Sequence, residues 1–272
     1  MDLAHFAIWI GVPEDAAKEM ERYAPPQAET EQLLSLLEQD TQAFLDRLET
    51  LPHPEQAALY LFTRCALEQQ EWWGEQKFPL TVYHDTMHDI AIWCHECRRR
   101  TGKWGLVEWG WIASSVKRSV YRLGRLQYQP GRLEEPLELF GREYDETTAV
   151  LWVHIPADGP LDPQDVRRSL QQAKDFFSQD QRTLIGCNSW LLSPALQALL
   201  PADSNILRFG ALFDVCREDF SFRQAEERVF GEISDDVSGY PEHTSLQKNL
   251  KRFLLDGRKV GMGLGFLKPG IL

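Results

Sequence analysis

An α+β fold is what this 272-residue chain predicts. Three observations predict it: a series of helical segments fills the first hundred residues, strand-like alternation begins near residue 120, and helical periodicity then intervenes before the next apolar strand. The class reads as a helical N-terminal region packed on a mixed β-sheet with flanking helices.

The helices come first. Residues 13–23 form one, opening at Val12-Pro13 and closed by Ala24-Pro25-Pro26. Residues 29–50 place Leu33, Leu34, Leu37, Phe44, Leu45 and Leu48 near one face, and Leu51-Pro52-His53-Pro54 ends them. A third helix over 55–73 carries Ala58, Leu59, Leu61, Phe62, Cys65 and Ala66 and stops at Gly74; a fourth over 81–100 stops at Thr101-Gly102. Residues 102–110 read as a turn or short strand, and 111–118 as a brief helix.

Strand patterns then occupy residues 121–128, 137–144 and 148–155, joined by Pro130-Gly131 and by an acidic turn around Asp145. Leu161-Asp162-Pro163 announces a helix, since Asp162 can accept first-turn N–H groups and Pro163 suits the first helical position. Its apolar face is Val166, Leu170, Ala173, Phe176 and Phe177. Residues 183–187 form a short buried strand, Ser193-Pro194 starts a helix that Pro201 ends, 206–213 and 225–230 alternate as strands, and 245–255 form a last helix. Residues 257–265 read as a Gly-rich closing segment. The domain boundary falls near residue 119, giving domains 1–118 and 119–272, with no flexible linker and no repeat or low-complexity tract.

Composition narrows the function. With 43% apolar residues and nine tryptophans the chain can build a substantial core. A formal charge of −12 disfavours non-specific nucleic-acid binding. Five cysteines, an odd and sparse set, suit reduced thiols rather than a disulfide framework. Met1 to Ile10 has no basic start, and no apolar run reaches the roughly 18–20 residues of a membrane span. The expectation is a cytoplasmic protein with neither nucleic acid nor membrane as partner; subunit number is left open.

Strands feeding through a helix into a further strand follow the chain order of the acyl-CoA-dependent N-acyltransferase (GNAT) architecture. At His154-Ile155-Pro156, Ser169, Ala173, Phe176-Phe177, Cys187-Asn188-Ser189-Trp190-Leu191-Leu192, Leu199-Leu200 and Ser204-Asn205-Ile206 the chain resembles a bacterial acyltransferase-like family with a helical N-acyltransferase N-terminal domain and a GNAT-like C-terminal domain. Asp85-Thr86, Asp89-Ile90, Trp93, Gly105-Leu106, Gly110-Trp111 and 123–128 extend the resemblance into the N-terminal half. It implies an acyltransferase enzyme that uses acetyl-CoA or another acyl-CoA as co-substrate, with no metal, and transfers the acyl group to an amine or hydroxyl acceptor by direct attack. Two departures stand out. Asn188 occupies the place of a family histidine, and 154–161 replace the Gln/Arg-x-x-Gly-x-Gly/Ala phosphate loop of the wider superfamily, putting Asp158 near the expected pyrophosphate.

Applied here, that architecture opens a cleft between 150–154 and 184–189. His154 is the candidate proton acceptor, or an imidazole that orients the following turn. Ser189 is the second catalytic candidate, or the cap of the chain that follows. Val153, Ile155, Cys187, Asn188 and Ser189 are the candidate cofactor contacts; Cys187 also admits a thiol-nucleophile reading, or simple packing. Asp85, Asp89, Arg122 and Arg125 are candidate substrate contacts. Two rivals remain at this point: a binding or regulatory module without chemistry, and a metal-dependent hydrolase using the His84/His88 face, whose four-residue spacing suits zinc.

Overall fold

The computed structural model describes residues 1–177 and 184–271 and divides into two compact units, 1–123 with 156–158, and 124–155 with the residues from 159 onward. The α+β class expected from the sequence holds. No helix among the described residues is long and apolar enough to cross a membrane.

The first unit is helical: α1 (Leu3–Trp9), α2 (Glu14–Met20), α3 (Gln27–Gln39), α4 (Thr41–Glu49), α5 (Pro54–Glu68), α6 (Gln70–Glu75), α7 (Leu80–Met87), α8 (Asp89–Thr101) and α9 (Trp109–Val116), then a short strand β1 (Tyr121–Leu123). Helix α1 carries no proline signal and was not expected. Its start is fixed by Asp2, whose carboxylate accepts the His5 N–H at 2.9 Å. The helix expected over 29–50 is two helices. Asp40 leaves the helical region (φ −146°, ψ 92°) and its side chain accepts the Ala43 N–H at 3.0 Å, so one residue ends α3 and caps α4. The expected helices 55–73 and 81–100 are likewise broken, at Gln69 and His88. Phe6, Leu37, Phe44, Leu48, Leu61, Phe62, Ile90 and Ile112 are fully buried in this unit.

The second unit holds β2 (Leu126–Arg132), β3 (Leu137–Leu139), β4 (Arg142–Tyr144), β5 (Ala149–His154), α10 (Pro163–Phe176), β6 (Leu184–Ser189), α11 (Asn205–Gly210), β7 (Phe213–Asp219), α12 (Gln224–Phe230), α13 (Ser245–Leu255) and β8 (Met262–Leu267). Its strands lie in the order β2-β5-β6-β8-β7. β5 and β6 are parallel and the other pairs antiparallel, which makes the sheet mixed. Asp162 caps α10 as its sequence implied, accepting from Gln164 N at 2.8 Å. Of the strand expected at 183–187, Thr183 lies outside the described residues.

Several expectations are corrected here. The chain turns at Gly124 (φ +70°) instead of running straight through 121–128. Pro130 and Gly131 do not form a turn: they pair with Leu151 and Val150 inside β2. Residues 137–144 fold back on themselves through Phe140 (φ +52°) and Gly141 (φ +72°), forming the separate hairpin β3–β4. The supposed strand 206–213 is α11, capped by Ser204 accepting Ile206 N at 3.2 Å, followed by the start of β7. Residues 225–230 lie in α12, not in a strand. The closing segment contains β8, a strand interior to the sheet.

One face of this sheet buries Val150, Leu184, Leu264 and Phe266 against Leu133 and Leu139. The opposite face meets α10, where Ser169 Oγ accepts the Leu126 N–H and lies 3.0 Å from the Tyr128 hydroxyl.

Candidate active site

β5 is the strand on which the site is built. Along its β2 edge it pairs continuously, from Ala149–Arg132 to His154–Gln127. Along its β6 edge the pairs among the described residues are Val150–Leu184, Leu151–Ile185 and Trp152–Gly186. From Gly186 to Ser189, β6 also pairs with β8 on its far side, and beyond Gly186 no pairing with β5 continues among the described residues. The two parallel strands therefore part beyond Trp152 and Gly186, and a wedge opens at their C-terminal ends.

Glycine makes the parting point. The Trp152 ring lies across the sheet over β2 and β6: a Cβ on Gly131 would stand 2.8 Å from it and a Cβ on Gly186 2.7 Å. A side chain fits at neither place unless Trp152 shifts. Sequence reasoning read Gly131 as part of a turn and gave Gly186 and Trp152 no part in the site, because cross-strand neighbours depend on register.

Beside the wedge lies a pocket of about 230 Å³ walled by Gln129, Trp152, Val153, His154, Asn188 and Leu264. His154 Nε2 is 2.9 Å from Gln129 Oε1. Burial disfavours the imidazolium and pulls the His154 pKa down to about 4, so the ring is neutral near pH 7. Asn188 is exposed at the wall. Gly186 and Asn188 share a face of β6, so Cys187 points to the other one. Its thiol is wholly buried, and burial pushes it up to about 12. The nucleophilic thiol reading is corrected on both counts: there is no thiolate, and the sulfur faces away from His154. Ser189 Oγ accepts the Leu191 N–H at 3.2 Å and caps the 3-10 turn Trp190–Leu192. Val153 is buried and Ile155 half-buried just past the last β5 residue.

Arg125, in the same unit, donates to the carbonyls of Pro160 (2.7 Å) and Gly159 (2.5 Å) and so holds the turn ahead of α10. The other three candidates lie in the first unit. Arg122 forms an ion pair with Asp158 at 2.7 Å. Asp85 sits 2.7 Å from His84 Nδ1. Asp89 is buried, accepting from Trp111 Nε1 at 2.5 Å and from the Ser115 hydroxyl at 3.3 Å.

The imidazoles of the hydrolase reading are committed elsewhere. His84 Nε2 reaches the Trp9 carbonyl at 2.9 Å and His88 Nδ1 the Ile10 carbonyl at 2.7 Å. A Cβ at Gly11 would stand 2.6 Å from the His88 ring, so this anchor is closely packed. Among the described residues no group of three or more His, Cys, Asp or Glu is placed to hold a metal. Cys94 and Cys97 of the adjoining turn are buried thiols.

Residues 1–117 match a family described as an N-acyltransferase N-terminal domain, and residues 120–267 one described as a GNAT-like C-terminal domain. Among curated proteins none matches the chain. The fold is that of several solved structures. An acyltransferase in complex with decanoyl-CoA and teicoplanin is 24% identical with a TM-score of 0.79, over 97% of this chain and 86% of that one. A mutant acyltransferase in complex with octanoyl-CoA is 23% identical with the same TM-score and the same coverage. A further acyltransferase, in complex with decanoyl-CoA, is 22% identical with a TM-score of 0.67, over 98% of this chain and 99% of that one.

Proposed function

The chain belongs to the acyltransferase family that joins an N-acyltransferase N-terminal domain to a GNAT-like C-terminal domain, an enzyme of the transferase class, and from that premise we propose that it moves an acyl group from acyl-CoA to an amine or hydroxyl acceptor by direct attack. The observation that carries this reading is the parting of β5 and β6 after Trp152 and Gly186. Strand backbone that has lost its neighbour needs another hydrogen-bonding partner. The amide-bearing pantetheine arm of an acyl-CoA is such a partner, lying in the wedge against Val153, Ile155 and the backbone of Cys187 and Asn188.

With the thioester held there, the acceptor's lone pair attacks the carbonyl carbon and the oxygen takes up negative charge. Backbone N–H groups of the wedge and the Asn188 amide stabilise that oxyanion. The carbon–sulfur bond then breaks, its electron pair leaves on sulfur, and the CoA thiolate takes a proton. His154, neutral at pH 7, accepts the acceptor's proton directly or through water. Ser189 acts by fixing the turn that follows β6. The medium-chain acyl-CoAs bound by the structural neighbours are the first donors to try, and teicoplanin-like molecules are one acceptor class among amines and alcohols.

Thermal unfolding with acetyl-, octanoyl- and decanoyl-CoA, with free CoA as control, tests the donor, because a ligand bound only by the folded state raises the midpoint. A rise with at least one acyl-CoA, followed by acceptor-dependent thiol release, is expected. No rise at millimolar concentration overturns the reading.

A further inference from the structure

β2 sets two glutamines beside the His154 ring. In its antiparallel pairing with β5, Gln127 stands directly opposite His154 and Gln129 directly opposite Trp152. All four side chains therefore share one face of the sheet, and Gln129 is the diagonal neighbour of the ring, within reach of a long side chain. The two glutamines differ in what they do there. The side-chain nitrogen of Gln127 is buried without a hydrogen-bond partner among the described residues. Gln129 turns its carboxamide oxygen to the ring, Oε1 standing 2.9 Å from His154 Nε2. It is half-buried and, with His154 and Asn188, lines the pocket of about 230 Å³ beside the wedge.

A carboxamide oxygen accepts hydrogen bonds and cannot donate one, so at this contact Nε2 carries the ring's hydrogen. A neutral imidazole has a single N–H, which places the lone pair on Nδ1. The partner's lack of charge matters as much as its position. A carboxylate there would favour the imidazolium and fill the base with a proton. An amide oxygen orients the ring and leaves it neutral, and burial keeps it so. The charged groups of the same pocket are Glu134, Glu135 and Arg217. Glu135 is paired with Arg217, and Glu134 is exposed.

We infer that Gln129 is a positioning residue for the reaction: it holds His154 as the Nε2–H tautomer, with Nδ1 as the atom that takes the acceptor's proton. This rests on the acyl-transfer reading. As the acceptor's nitrogen or oxygen bonds to the thioester carbon, its proton passes to Nδ1 and the ring becomes an imidazolium with two N–H groups. Gln129 Oε1 accepts from Nε2 in both forms, so the ring turns over without reorienting. The proton then leaves Nδ1 for the CoA thiolate, directly or through water, and the neutral tautomer is restored.

Nitrogen-15 NMR of the imidazoles tests the tautomer without any donor, the His154 signals being those lost in His154→Gln. Wild type is expected to show a protonated Nε2 and a bare Nδ1 at pH 7. Gln129→Leu is expected to lose that preference. Gln129→Glu, which keeps an acceptor oxygen, is expected to retain it while the ring's proton affinity rises roughly 10- to 100-fold. Thiol release from octanoyl-CoA, with ethanolamine as an acceptor that offers both an amine and a hydroxyl, carries the test into the reaction. In Gln129→Leu kcat is expected to fall roughly 10- to 100-fold with KM for octanoyl-CoA unchanged. Gln129→Glu is expected to recover kcat at pH 8 and to lose more of it than wild type as the pH falls to 5. A wild-type ring protonated on Nδ1, a tautomer that Gln129→Leu leaves unchanged, or a wild-type kcat in Gln129→Leu overturns the inference. Wild-type protein that shows the Nε2–H tautomer but binds no octanoyl-CoA sinks the acyl-transfer reading and the base role with it, leaving Gln129 as the group that fixes the ring.

Discussion

The two edges of β5 face different neighbours and end differently. The β2 edge stays paired through His154, while the β6 edge is released after Trp152. Both are backed by buried apolar side chains, Val150 and Leu151 among them, so hydrophobic burial does not distinguish them. What distinguishes them is register: β6 leaves β5 after Gly186 while it stays paired through Ser189 with β8 on its far edge, where Gly263 accepts the close approach of Leu192 that a Cβ, only 2.8 Å from the Leu192 carbonyl, would forbid. An interior strand end left without a neighbour is unfavourable in a resting protein. Its retention points to a ligand that completes it.

The open edge should be the fragile one for chemistry. His154→Ala is expected to lower kcat roughly 10²- to 10³-fold, the range of a lost proton acceptor, beside a loss of stability from the void and the Gln129 hydrogen bond given up. Steady-state kinetics against thermal unfolding separates the two effects; an unaltered kcat removes His154 from the mechanism.

The same ring links the open edge to pH. Its folded pKa, near 4, lies below the unfolded value near 6.5, so the unfolded chain takes up the proton first. The contribution is whole above about pH 6.5 and is lost as the pH falls towards 4, about 3 kcal/mol in total. Denaturant unfolding at pH 7 and pH 4.5 should show this decline, and His154→Gln should flatten it. An equal decline in that variant would assign the acid sensitivity to other groups.

On the closed edge the expected damage is to stability. Gly131→Val pushes a side chain into the Trp152 ring, 2.8 Å from where its Cβ would stand, at a cost of about 1–3 kcal/mol. A denaturant midpoint equal to wild type would mean that Trp152 moves aside freely. The smallest effect is expected at the head of α10. Asp162→Ala removes the acceptor for Gln164 and Asp165 N–H and should lower stability by about 1 kcal/mol.

Elements with local chemical signals were legible in advance. Asp162-Pro163 announces a cap, and the β-branched, aromatic run announces a strand over 148–155, within which β5 spans Ala149–His154. Elements that depend on distant partners were not. β8 reads Met-Gly-Leu-Gly-Phe-Leu, and glycine is depleted in strands unless another backbone comes close, as Leu192 does here. The hairpin at 137–144 turns through Phe140, a residue type without turn chemistry. Six-residue α11 spans under two turns, too short for its period to be told from alternation. In the site, His154 and Asn188 could be named because they stand at strand ends. Gln129 and the glycines beneath Trp152 could not, because only the register joins them.

Amide hydrogen exchange across β5, with and without octanoyl-CoA, tests the wedge most directly. Amides at 150–152 should be protected in both states, while within 153–155 those that point to the β6 edge should exchange quickly in the free protein and slow when the donor binds, their β2-facing neighbours staying protected. Protection of the β6-facing amides of 153–155 that already equals that at 150–152 without ligand, or that does not change when octanoyl-CoA is bound, would contradict the account.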